Sequence, residues 1–162
     1  MKKILAMLLA LVMVLSLAAC ASTQPAAEPA ASSDAPAESG KTYTVGVCQL
    51  VQHEALDAAT QGFVDALKEA LGDAVTIDVQ NASGDSVNCG TIVNGFVAKG
   101  VDLIMANATP ALTAAVSATA DIPILGTSIT AYGVALDIDD FSGTVGGNVS
   151  GTSDLADLSK QA

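Results

Sequence analysis

The chain is 162 residues long and carries 17 acidic against 6 basic side chains, a formal net charge of −11; it lacks the clustered Lys and Arg that phosphate binding needs, which argues against nucleic acid as a partner. Half of the residues (51%) are hydrophobic, enough for a buried core in a folded part the size of one domain. With one histidine and no closely spaced cysteines, a zinc site of the usual pattern cannot be assembled.

The first element in chain order is a targeting segment. Lys2 and Lys3 precede an apolar run from Ile4 to Leu15, and small residues then lead into Cys20, the layout of a secretory signal peptide over residues 1–19. The uninterrupted run falls short of the roughly 18–20 residues that cross a bilayer, which favours cleavage over spanning. Leu17-Ala18-Ala19-Cys20 resembles the lipobox of bacterial lipoproteins, and that resemblance implies lipidation of Cys20 and anchoring on the extracytoplasmic face of the cell membrane. Residues 20–40 are rich in Ala, Ser, Pro and Glu without apolar periodicity. They read as a lipid-anchored flexible linker with a reach of about 25 Å.

From residue 41 onward strands and helices alternate. Residues 43–50 form a β-rich run. Leu56, Ala59, Phe63, Leu67, Ala70 and Leu71 then recur at steps of three and four, an amphipathic helix closed by Gly72. Residues 75–80 alternate apolar and polar, residues 81–85 make a turn, and Ile92, Val93, Phe96 and Val97 line a second helix ended by Gly100. A third strand is expected over 101–106. Thr109 is placed to cap a third helix with Pro110 in its first position, and residues 121–130 supply a fourth strand and its exit loop. Alternation at this spacing predicts an α/β fold, a parallel sheet with helices on both faces.

In open sheets of this kind ligands sit beyond the carboxyl ends of the strands. Those ends carry Gln49, Gln52 and His53, then Asn81 and Asp85, then Asn107 and Thr109, and finally Thr127, Ser128 and Thr130. Asn107 and Thr109 stand at a strand end and a helix amino terminus, where backbone N–H groups and the helix dipole favour a carboxylate. Plain helix capping accounts equally well for the Thr-Pro pair.

Other motifs carry less. Gly84-Asp-Ser-Val87 looks like the start of a hydrolase motif, but Ser86 has no partnering base, since the sole histidine, His53, precedes it on another loop. The glycine-rich stretch 143–151 matches neither a dinucleotide fingerprint nor a phosphate loop and reads as a flexible connection. Neither a catalytic residue nor a cofactor is expected. Cys48 and Cys89 either pair, as an exported protein allows, or lie as two buried thiols.

Five ordered segments carry a resemblance: Gly46-Val-Cys-Gln-Leu-Val-Gln-His-Glu-Ala-Leu-Asp57, Gln80-Asn-Ala-Ser-Gly-Asp85, Ala106-Asn-Ala-Thr-Pro-Ala111, Asp121-Ile-Pro-Ile-Leu-Gly-Thr-Ser-Ile-Thr130 and Asn148-Val-Ser-Gly-Thr-Ser-Asp154. Together they resemble the ABC-transporter substrate-binding lipoproteins of the tryptophan/tyrosine-binding type. The resemblance implies a two-lobed receptor of the periplasmic-binding-protein type I fold that delivers an amino acid or similar small carboxylate to a membrane permease, with no enzymatic step. It places Gln49, Asn107, Thr109, Thr127 and Ser128 at the ligand cleft. Glu54 stands where the family usually has proline, and Ala131 where it often has aspartate.

Family members are about twice as long. Residues 41–150 are therefore expected to form one Rossmann-like substrate-binding lobe and residues 151–162 the start of a crossover to a missing second lobe. A truncated receptor would leave apolar surface through which a homodimer could form. The alternative reading is a lipid-anchored sensory or interaction module of the same fold without tight ligand capture.

Overall fold

A computed structural model describes residues 40–154; the signal, the linker with Cys20, and residues 155–162 lie outside the described residues. Five strands form one sheet: β1 (Tyr43–Gln49), β2 (Val75–Asn81), β3 (Leu103–Asn107), β4 (Ile124–Ile129) and β5 (Val149–Ser153). The order is β2-β1-β3-β4-β5 and every pair is parallel. The connections hold α1 (Glu54–Leu71), α2 (Ser86–Lys99), α3 (Thr109–Ala118) and the short α4 (Tyr132–Ala135). This is the α/β fold that the alternating pattern predicts. No described helix is long and apolar enough to cross a membrane.

Successive strand residues point to opposite faces, and both faces are covered. Val45, Val47 and Met105 pack with Phe63 and Leu67 of α1 on one side; Cys48, Ile104, Ala106 and Ile124 pack with Cys89, Val93 and Phe96 of α2 and Leu112 and Ala115 of α3 on the other. A strand buried on both faces reads as a continuous apolar run, which is why Val45 to Cys48 alternate in direction without alternating in polarity. Gly46 lets the Phe96 ring of α2 lie directly on β1.

The helix ends follow local chemistry. His53 Nδ1 accepts from Ala55 N–H to cap α1, and Asp85 accepts from Val87 N–H to cap α2. The Gly100 N–H, in a left-handed conformation, closes α2 onto the carbonyls of Phe96 and Val97.

Three expectations need correction. Thr109 does not cap α3: the helix begins at Thr109 itself, Ala108 is the cap residue, and no side chain bonds to the first turn. Ala108 sits at φ 89°, ψ 156°, held there because its N–H donates to the Thr127 carbonyl while its own carbonyl accepts from Ala111 and Leu112. The third strand runs over Leu103–Asn107 rather than 101–106, because the Val101 N–H is still bonded to the Phe96 carbonyl at the end of α2. The stretch 143–151 is not wholly a connection. From Val149 it enters the sheet as β5, whose residues are largely exposed and which is tied in by backbone pairing to β4 and by the Asn148 amide on the carbonyls of Thr119 and Ile122.

Candidate functional site

The carboxyl ends of β1, β3 and β4 form one rim. Gln49 and Asn107 are register partners on adjacent strands, and Asn107 pairs in turn with Thr127. Thr109, Thr127 and Ser128 are half-buried on that rim, and the Ala108 N–H bond to the Thr127 carbonyl, 3.0 Å, brings the β3 and β4 ends together. Ser128 adopts φ 56° where the pairing of β4 with β5 shifts register between Gly126 and Ile129. Conformations of this kind cost on the order of 1–3 kcal/mol and persist where surrounding bonds enforce them. Tyr132 of α4 supports this stretch from below, its hydroxyl donating to the Gly126 carbonyl at 3.0 Å, and burial pushes that phenol above its ordinary pKa.

The absence of a cap on α3 shapes the local chemistry. Pro110 has no N–H, and the Ala111 and Leu112 amides are taken by the Ala108 carbonyl. The Thr109 N–H and hydroxyl are then the donors presented at the start of a ten-residue helix, where its dipole adds to their pull on an anion.

Gln49 and Asn107 are placed differently, only 4% and 0% exposed. Asn107 Nδ2 donates to the Leu56 carbonyl and to Thr60 Oγ1; Thr60 Oγ1 donates to Gln49 Oε1; Gln49 Nε2 donates to Asp57 Oδ1 and the Val51 carbonyl. Asn107 Oδ1 alone is buried without a partner among the described residues. The chain of donors binds α1 to the ends of β1 and β3, so these two amides fix the rim from beneath. Thr60 and Asp57 escape a reading of the strand ends because they belong to a helix; the one signal is a threonine four residues after Leu56, inside the apolar stripe. Thr60→Val keeps the shape and removes a donor and an acceptor between two buried amides, and such unpaired groups cost about 1–3 kcal/mol. A loss of that size in the urea unfolding free energy is expected, with Thr60→Ser recovering most of it.

Above β1 and β2 the rim opens into a cleft of about 730 Å³ lined by Gln49, Gln52, Asp57, Thr60, Val79 and Asn81, among others. Gln52 is exposed beside it. Asn81 Oδ1 accepts from Ser83 N–H in a tight turn, and Asp85 is spent as a helix cap. Thr130 is exposed beyond β4. Among the described residues no three His, Cys, Asp or Glu side chains gather closely enough to hold a metal ion. Ser86 is exposed at the start of α2, and His53 is occupied in capping α1. Cys48 and Cys89 are free, buried thiols in one core cluster.

The chain is similar to known proteins in sequence and in fold. The profile of the family described as ABC transporter substrate binding protein matches residues 44–162. The chain is 38% identical to a tyrosine-binding protein of Clostridioides difficile, over 98% of this chain and 46% of that protein. Among solved structures it resembles the ligand-free, open form of a substrate binding protein with adhesive properties from Clostridium difficile, at a TM-score of 0.66 and 40% identity, covering 74% of this chain and 41% of that one. A Streptococcus pneumonia structure in complex with L-Trp gives 0.65 and 37%, covering 71% and 39%. The chain thus spans less than half the length of these relatives.

Proposed function

The chain belongs to the family of ABC transporter substrate-binding proteins, and from that premise we propose that it binds an amino acid, with tyrosine and tryptophan the first candidates, at the carboxyl rim of its sheet. The ligand carboxylate sits at the amino terminus of α3 against the N–H and hydroxyl of Thr109, with Thr127 and Ser128 fixing its orientation from β4. Gln49 and Asn107 hold these groups in place from below. The observation that carries the reading is the uncapped first turn of α3 beside the half-buried hydroxyls of β4. In a relative the same fold holds L-Trp, and another is a tyrosine-binding protein.

In this role the protein works outside the cytoplasm, tethered through lipidated Cys20 and the linker over residues 20–40, and delivers its solute to an ABC permease. Binding requires no chemical step by the protein. Solute-binding proteins of two lobes close around the ligand, and small-molecule sites bury most of the ligand surface. The described residues carry the rim of such a site, so a ligand panel is run over a wide range of concentration.

The test is a thermal-shift and calorimetric panel of L-amino acids. Ligand that binds the native state raises Tm in step with the logarithm of its concentration, and L-tyrosine or L-tryptophan is expected to do so. Thr109→Val removes one hydrogen bond to a charged group, an effect of about 1.5–3 kcal/mol or tenfold and more in Kd. A panel without any response, or an unchanged Kd for Thr109→Val, would count against the site.

A further inference from the structure

Asp57 is the one ionisable side chain among the residues lining the cleft above β1 and β2. The buried hydrogen bonds beneath it all run in one direction. Asn107 donates to Thr60, Thr60 to Gln49, and Gln49 to Asp57 Oδ1. Gln49 Nε2 has two hydrogens and places both, on Asp57 and on the Val51 carbonyl, so it has none left for a ligand. Asp57 Oδ2 has no hydrogen bond among the described residues, and Asp57 is exposed. The cleft therefore presents a fixed, negatively charged acceptor at this point.

The neighbouring rim has the opposite preference, since Thr109 presents donors. Gln49 and Asn107 are paired across adjacent strands, which lie about 4.8 Å apart. Asp57 is tied to the first and Thr109 follows the second by two residues. Asp57 as an acceptor and Thr109 as a donor thus belong to the ends of adjacent strands, and a zwitterion carries the group complementary to each.

We infer that Asp57 is a specificity-determining residue that receives the ammonium group of the bound solute, an inference that rests on the amino-acid reading above. A carboxylate in the first turn of α1 also favours the helix dipole, and that role alone would stabilise the fold without distinguishing ligands.

Fragments of the ligand separate the two ends of the site. Amide NMR spectra of the isotope-labelled full chain are recorded with tyramine, which has the amine and no carboxylate, with hydroxyphenylpropionate, which has the reverse, and with p-cresol, which has neither. Tyramine is expected to shift the side-chain amides of Gln52 and Asn81 and the backbone of Asp57, about fivefold more weakly in Asp57→Asn, with the response restored in Asp57→Glu and reduced by salt. Hydroxyphenylpropionate should instead shift the backbone amides of Ala108, Thr109 and Ala111 equally in both proteins. Equal tyramine response in Asp57→Asn, equal shifts with p-cresol, or no tyramine response at all overturns the assignment of Asp57. Failure of hydroxyphenylpropionate with the tyramine response intact removes the carboxylate seat and leaves Asp57 standing. The spectra themselves report whether each variant is folded.

Discussion

Gly46→Ala is expected to destabilise the domain by about 3 kcal/mol, at the upper end of what one inserted methyl costs in a packed core. Gly46 lies on β1 with Asp78 and Ile104 as its register partners. A Cβ there would stand 2.5 Å from two ring carbons of Phe96 and 2.9 Å from a third. The ring cannot give way, being fully buried among Cys48, Val93 and Ile104. Nor can α2 lift off without losing the contacts that cover this face of the sheet. The midpoint of urea unfolding should fall with an unchanged slope, and Tm by about 10 °C or more. The partner is named, so the mechanism can be checked directly. Phe96→Leu carries its own penalty for lost volume, but in that background the further cost of Gly46→Ala should shrink by more than about 1 kcal/mol, since residues in contact couple. Additive penalties would show that the methyl is resisted by something other than the ring.

The contact between Gly46 and Phe96 also shows which parts of the fold could be read from sequence. Residues 43–50, 75–80 and 121–130 are rich in β-branched and apolar residues, and the stripes ending at Gly72 and Gly100 repeat at helical spacing; these signals are local, and the elements formed where they point. β5 gives no such signal. Val-Ser-Gly-Thr-Ser has the composition of a loop and keeps most of its side chains in solvent, so only the open edge of β4, formed by residues more than twenty positions earlier, turns it into a strand. The start of α3 follows the same logic. Thr-Pro is a cap signal, but the Thr127 carbonyl holds Ala108 at positive φ and the helix starts one residue earlier in the chain.

For the candidate site, sequence could locate the rim and not the direction of each side chain. The polar residues ending β1, β3 and β4 stand out after apolar runs, and the structure does bring Thr109, Thr127 and Ser128 to neighbouring strand ends. Gln49 and Asn107 have the same composition signal yet are buried and bonded to Thr60, 11 and 47 residues away. A pattern read along the chain does not contain those separations. Asp57 was hidden for a related reason: in sequence it is an ordinary acid in the first turn of a helix, and only the Gln49 bond marks it as held in place.

The thiols are expected to make the native state sensitive to alkali. Burial pushes the Cys48 thiol up to about 12, helped by the adjacent Cys89 thiol, to which it is hydrogen-bonded. Burial also raises Cys89, an effect reinforced by Asp85 and partly offset by that hydrogen bond. In the unfolded chain both ionise near the ordinary value of 9.0. Below that pH both states hold their protons and the thiols add nothing to the pH dependence. Above it the unfolded chain releases protons that the native state keeps, so native stability falls as pH rises toward the folded value. For Cys48 the slope is about 1.4 kcal/mol per pH unit, which sums to about 4 kcal/mol as an upper bound across the window. Urea midpoints measured from about pH 8 to 11 should therefore drop more steeply in the parent than in Cys48→Ala/Cys89→Ala. The comparison must be of slopes, because alanine at either site also lowers stability at neutral pH by leaving a small cavity. Tyr132 is raised by burial as well and contributes the same sign in both proteins, so it cancels in the difference. Parallel curves would mean that the two thiols meet water in the native state, contrary to their full burial between β1 and α2.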